Sequence, residues 1–452
     1  MRWIYRISIL IGLLAQAGVA GADDAEDVFR HSRIAVLGNA MALPESRMHA
    51  ALSWLANRGK TDVAAALILA LRYNRSLSEP ISSALSKISG HTGAKTWFDW
   101  MLWLEANPEA VPHESYRQIK LETLMQVDPN FARFIPLSPD ARIRREEVVW
   151  GGVAVDGIPA LNNPVQTPAD EAKYLIPGEL VFGVEINGDA RAYPLRIMDW
   201  HEMLNDVIGG VPVSLAYCTL CGSGILFETR LDGFDEPLVF GSSGLLYRSN
   251  KLMFDRTTDS LWNQFTGRPI SGALAGRGIE MKILPIAITS WRQWRATHPH
   301  TRVLSLDTGH VRDYSPSGPY GHYFDSPDLM FPALSNGETR PIKDYVFGIR
   351  TAGGAKAWPV ENFRGTPVIN DTVGLINVVL IGNAITRTVR AFRRDDLVFE
   401  RATPAGPLTA NGEPWEITET AIVNPAGKTL PRVAGHVAFS FAWSAFVERA
   451  RN

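Results

Sequence analysis

Apolar positions change period near residue 140. Before that point they recur at helical spacing. Ala50-Ala51-Leu52 and Trp54-Leu55 form one stripe, Val63 to Leu71 a nearly continuous one, and Trp97, Trp100, Met101, Trp103 and Leu104 a third at i, i+3, i+4 and i+7. The pattern predicts short packed helices over about 25–130, the third ending at Asn107-Pro108 because the residue before a proline avoids helical backbone. Its aromatic stripe reads as core. Beyond 140, β-branched runs alternate with Gly and Pro turns, the texture of short strands. Val181 to Ile186, Asn187-Gly188, then Asp189 to Leu195 predicts a hairpin, Asn-Gly being a strong two-residue turn signal. Val211 to Tyr217 and Gly224 to Thr229 predict two more strands. Ser290-Trp291-Arg292-Gln293 has the form of a capping box opening a helix that stops before Pro299.

The strand region repeats itself. Val181-Phe182-Gly183 matches Val346-Phe347-Gly348, and Ala190-Arg191-Ala192-Tyr193-Pro194 matches Ala355-Lys356-Ala357-Trp358-Pro359. Asn205-Asp206 matches Asn370-Asp371, Gly209 matches Gly374, and Phe227 matches Phe392. The spacing stays at 165 throughout, which predicts an internal duplication, the second copy lacking much of 240–330. Residues kept in both copies, such as Asn205 and Gly209, are accounted for by turns and packing. The chemically loaded ones are not kept: His201 faces Thr366, Cys218 faces Asn383 and Cys221 faces Thr386.

Composition narrows the function class. The chain has 452 residues, 45 basic and 47 acidic, for a formal charge of −2. That balance argues against nucleic acid as the partner. Arg2 and Arg6, the apolar run Ile7–Ala20 and the small residues Ala20-Gly21-Ala22 predict a cleaved signal peptide. The run is too short for the ~20 residues a spanning helix needs. No later stretch looks transmembrane, so the expected setting is periplasmic or secreted.

Only two cysteines occur, in Cys218-Thr219-Leu220-Cys221-Gly222. A disulfide scaffold and a four-thiolate site are thereby excluded. A thioredoxin-type C-x-x-C opens a helix, whereas this one lies between predicted strands and reads as a metal-binding knuckle. Two thiolates leave a tetrahedral zinc site incomplete but suit Cu(I), with His201 the candidate third ligand. The same pair is alternatively a reversible dithiol, or a structural disulfide or two inert thiols. His201 is alternatively an acid or base beside a thiol, and Glu202 a carboxylate orienting its imidazole. The polar, Gly-rich stretch from Phe240 to Gln264 supplies a candidate pocket: Ser243, Tyr247, Arg248, Asn250, Asp255, Arg256, Trp262 and Gln264. The aromatic loop near 310 adds Arg312, Asp313 and Tyr314, with His310 and His322 as further metal candidates.

Several of these strings together resemble an uncharacterised prokaryotic family, a domain of unknown function with a Tyr-Cys-x-Leu-Cys-Gly hallmark. They are Trp200-His201-Glu202, Asn205-Asp206, Tyr217 to Gly222, Phe240 to Gly244, Leu246 to Asn250, Ser260-Leu261-Trp262, His298-Pro299 and Arg312-Asp313-Tyr314. The resemblance covers about 140–450. It implies an exported protein with a His and C-x-x-C motif in a β-rich domain, and no activity.

The expected fold is α+β: a signal peptide over 1–22, a helical domain over 23–135, a β-rich unit over 140–335 with a long insertion, and a degenerate copy over 336–452. The leading expectation for function is a soft-metal site, copper before zinc, on Cys218, Cys221 and His201, serving redox chemistry or metal handling. A thiol–disulfide oxidoreductase and a non-enzymatic extracellular binding module stay open beside it. The partner is a small molecule or a redox protein.

Overall fold

The computed structural model describes residues 24–448, apart from 136, 317, 335–339 and 402–405. The expected signal peptide lies outside the described residues. The chain divides into two compact units, one taking in residues up to Ser138 with Arg144–Glu147, the other Pro139–Ile143 and the chain from Val148.

The first unit is helical, as its 3.6-residue pattern requires. A helix over 24–37 is followed by Glu45–Asn57, Ala64–Tyr73, Ser78–Ser89, Trp97–Ala106 and Tyr116–Met125. Thr96 and Asp99 form a reciprocal capping box at the start of Trp97–Ala106, and Trp100 is fully buried with its indole N–H donated to Ser82. Among the described residues no helix is long and apolar enough to cross a membrane.

The second unit is built mostly of sheets. Its first strand set is β1 (Leu180–Ile186), β2 (Asp189–Pro194), β3 (Met203–Ile208), β4 (Val211–Cys218) and β5 (Ser223–Glu228), with a short helix, Leu195–His201, between β2 and β3. β6 (Phe240–Tyr247) and β7 (Asn250–Asp255) form a hairpin in a neighbouring sheet. A second set follows: β8 (Tyr345–Thr351), β9 (Gly354–Pro359), β10 (Val368–Val373), β11 (Ile376–Asn383) and β12 (Thr388–Arg393). Every bound of β8–β12 lies 165 positions after that of β1–β5, and the registers follow: Val181 opposes Pro194 and Val346 opposes Pro359, while Met203 opposes Ala216 and Val368 opposes Ile381. Asn187 and Gly188, both at positive φ, make the tight β1–β2 turn.

Side-chain links recur as well. Asn205 and Asn370 each clamp a distant backbone through the side-chain amide, at Phe240 and Phe399. Tyr193 donates to Asp206 as Trp358 donates to Asp371. Both sets contribute to one buried core, Phe182, Leu204, Leu215 and Leu226 packing in the same cluster as Phe347, Trp358, Val378 and Leu380.

Gly183 shows why glycine stands at the middle of β1. A Cβ there would come within 2.3 Å of the Trp294 ring, and one on Gly348 within 1.9 Å of Trp443. Both tryptophans lie in the fully or nearly fully buried core, so neither ring has room to retreat. Gly183→Ala is expected to cost about 1–3 kcal/mol in denaturant unfolding; a change under 0.5 kcal/mol would show the packing to be looser than this.

Candidate functional site

The short helix Leu195–His201 ends at Glu202, a non-glycine residue at φ 55°. This left-handed cap turns the chain into β3 and sets Glu202 inside the protein, with its carbonyl accepting from Tyr217 N–H at 2.7 Å. The matching position in the second set is Pro367, whose ring fixes a negative φ, so the same cap cannot form there.

Glu202 is the hub of a buried polar network. Its Oε2 accepts from Lys251 Nζ at 3.0 Å; its Oε1 accepts from Thr219 Oγ1 at 3.0 Å and from the Tyr320 hydroxyl at 3.2 Å. Lys251 sits in β7, where all six positions are buried. A buried charge this far from water persists only when paired and hydrogen-bonded.

The two cysteines adjoin this network. Cys218 ends β4, Thr219–Cys221 is one 3-10 turn, and Gly222 at φ 56° leads into β5, the expected strand, C-x-x-C-Gly, strand order. Both thiols are free, with exposures of 1% and 0%. Both point to one acceptor, the Ser249 carbonyl, at 3.9 Å from Cys218 Sγ and 3.5 Å from Cys221 Sγ. Asn250 Nδ2 donates to Cys221 Sγ at 3.4 Å and to Gln264 Oε1 at 2.7 Å, and Gln264 is held in turn by the Ala216 and Ser223 carbonyls. Ser249 Oγ and Asn250 Oδ1 are buried without a partner. Burial, and then the Cys218 thiol beside it, push the Cys221 thiol well above the usual cysteine range.

His201 belongs to a different cluster. Its Nδ1 meets the Pro159 carbonyl at 2.8 Å and its Nε2 the Tyr314 hydroxyl at 2.6 Å. A carbonyl only accepts, so Nδ1 carries the proton and Tyr314 donates to Nε2. Tyr314 lies 2.6 Å from Thr308 Oγ1. Burial lowers the His201 pKa to about 4, keeping the ring neutral. Both nitrogens are thus committed away from the sulfurs. Among the described residues no group of three His, Cys, Asp or Glu side chains gathers to hold a metal. The expected His201–Cys218–Cys221 triad is therefore not assembled.

The other expected pocket residues separate into five places. Asn250 and Gln264 line the sulfur site. Ser243 is a buried strut to the Leu252 carbonyl, and Asp255 closes its own turn and takes the Trp262 indole N–H at 2.9 Å. Arg256 makes a half-exposed pair with Asp156. Arg312, Asp313 and Tyr314 cover the Trp200-His201 helix end, where Trp200 donates to the Asp313 carbonyl. Tyr247 and Arg248 face a cavity on the other side of the β6–β7 turn.

Residues 155–450, well over half of the chain, match the family described as Protein of unknown function (DUF3179). The chain belongs to that family. No curated protein and no solved structure matches it. The DUF3179 segment contains every residue of the sulfur site and of the His201 cluster.

The site also contains residues that sequence reasoning passed over. Asp199 is buried with Oδ1 unpartnered, and desolvation raises its pKa to about 7 against the opposing hydrogen bond from Tyr217. Two further tyrosines join the expected Tyr314 in strapping the loop over the site: Tyr320 bonds to Glu202 and Tyr323 to the Leu220 carbonyl at 2.7 Å, beside Tyr314 on His201. A lone lysine in the apolar run of β7 was a usable signal for Lys251. The Tyr320 and Tyr323 contacts span more than 100 residues and leave no local trace.

Proposed function

We propose that Cys218 and Cys221 hold a resident soft cation, Cu(I) in preference to Zn(II), and that this centre serves redox chemistry. The observation that carries the reading is the convergence of both sulfurs on the Ser249 carbonyl, inside a shell that is polar. Asn250 donates to one sulfur, and two unpartnered oxygens, Ser249 Oγ and Asn250 Oδ1, belong to the same turn. An apolar shell would mark two inert thiols; this one suits a charged occupant. Cu(I) is satisfied by two thiolates, so His201 is not needed as a ligand. Binding requires both thiols to lose their protons, and the cation offsets the cost of placing thiolates in a buried site. Bound there, the cation supplies one-electron chemistry. Asn250, with Gln264 fixing it, sets the hydrogen bonding around the sulfur, a lever on potential.

Burial weighs against the thiol–disulfide reading. Exchange needs a third sulfur to approach, and exposures of 1% and 0% leave no path for a partner protein. We further infer that β1–β5 and β8–β12 descend from one duplicated unit, the second of which kept the Asn and Gly marks without the site. The reading also keeps the chain outside the cytoplasm, after removal of an N-terminal signal.

The test is anaerobic loading of the full chain with Cu(I) against a competing chelator. The expected result is one copper per chain with two protons released, abolished in Cys218→Ser and Cys221→Ser and kept in His201→Gln. Absence of retained copper, or equal retention by the double serine variant, contradicts the reading.

A further inference from the structure

The chain is close to neutral, yet one face of the second unit concentrates positive charge. Two adjoining cavities, of about 680 and 760 Å³, share Thr266, Arg268, Glu280 and Phe446 in their walls and so form one groove. Arg142 and Arg248 line the first part, Lys282 and Arg350 the second, and Arg268 the junction. Among the described lining residues Glu280 is the single acid. It meets Arg268 at 2.5 Å and Arg350 at 3.9 Å, which leaves a clear positive excess; Lys282 is turned to Glu228 at 3.0 Å.

Two buried polar atoms at the groove lack partners. Arg350 Nε is unmatched although its guanidinium donates to the Thr266 carbonyl at 3.2 Å, and His436 Nε2 is unmatched on a ring that is 3% exposed. Native proteins seldom leave such groups unsatisfied, and a ligand atom is one way they are matched. Burial, reinforced by the Arg350 charge, holds His436 down to about 3, in keeping with a positive local field. Tyr247, Ile270, Ile279 and Phe446 supply apolar wall between the charges.

We propose that this groove binds an organic anion carrying two or more phosphate or carboxylate groups, with Arg350 and Arg142 as its principal anchors. Guanidinium groups match both kinds of oxyanion through paired N–H donors, and the apolar stretches accept the carbon skeleton. The groove reaches the β6–β7 turn at Arg248, and the next residue, Ser249, holds the acceptor for both thiols. The site is defined by its own residues and stands apart from the metal reading.

Calorimetric titration of the full chain at low salt, with pyrophosphate in one arm and citrate in the other, tests it. The expected result is saturable binding of at least one probe, weakened about 10–100-fold in Arg350→Met and in Arg142→Gln, the loss of one charged hydrogen-bonding anchor. The arm that binds tells phosphate from carboxylate. Binding unchanged in the Cys218→Ser/Cys221→Ser chain separates this outcome from the fate of the metal site. No binding of either probe up to about 10 mM, or binding by both arginine variants as tight as that of the parent, overturns the proposal; Arg142→Gln keeps it testable if Arg350→Met fails to fold.

Discussion

Glu202→Gln is expected to destabilise the protein by about 3–5 kcal/mol, because it leaves the Lys251 ammonium buried with no countercharge. The pair is 3.0 Å apart, with side-chain exposures of 4% and 7%, so water cannot replace the lost partner. Lys251→Met strands the Glu202 carboxylate in the same way, though Thr219 and Tyr320 still donate to it. Its penalty should therefore be somewhat smaller. The double variant Glu202→Gln/Lys251→Met removes both charges and should recover much of the loss, giving a coupling energy well above that of surface pairs. Denaturant unfolding of the four proteins checks this. Single variants within 1 kcal/mol of the parent would mean that the pair is hydrated.

Acid should destabilise the chain through two histidines. Burial holds His201 near 4 and His436 near 3. In the unfolded chain both bind protons as pH falls through 6.5, while the folded rings stay neutral. Their contribution is fully present above about pH 6.5 and is lost progressively toward pH 4. Each unit of displacement is about 1.4 kcal/mol, so the two together cost a few kcal/mol by pH 4.5. Asp199 has the opposite sign. Its carboxyl is raised to about 7, so its contribution is present below about pH 4 and is lost as pH rises to 7. Glu419, held near 2 by Arg390 and Arg432 against its burial, is present above about pH 4.5 and fails only in stronger acid. The stability gap between the parent and His201→Gln, or His436→Gln, should thus narrow steadily from pH 7 to 4.5. A gap independent of pH would show that the rings protonate freely in the folded state.

Much of the architecture was legible because its signals are local. Asn187-Gly188 fixes a two-residue turn, Pro108 stops a helix, and Cys218 to Gly222 between β-branched runs announces a turn between strands. The Ser290 cap was legible too, although Gln293 accepts from Thr289 instead of completing the box. The constant spacing of 165 even places β8–β12 strand for strand. The partners of His201 were not legible, for a physical reason. His201 lies near the cysteines along the chain, but its partners come from Pro159 and Tyr314, 42 and 113 residues away. Proximity along a chain says little about which atom a ring nitrogen faces once strands are paired. The surroundings of the pocket residues are equally non-local: Asp255 and Ser243 look chemically available in sequence, yet their oxygens bond to the turns and strands that hold them.

The tyrosine strap bears on how the sulfur site stays closed. Tyr320 and Tyr323 reach Glu202 and Leu220 from a segment between the first and second strand sets. The segment that closes the site and the residues that make it chemically distinct therefore both precede the second strand set.

X-ray absorption on the copper-loaded full chain is the most direct measurement of the central claim. Cu(I) with two sulfur neighbours and no nitrogen is the expected result, unchanged in His201→Gln and lost in Cys218→Ser. A first shell of nitrogen or oxygen donors, or a spectrum indifferent to both cysteine substitutions, would contradict it.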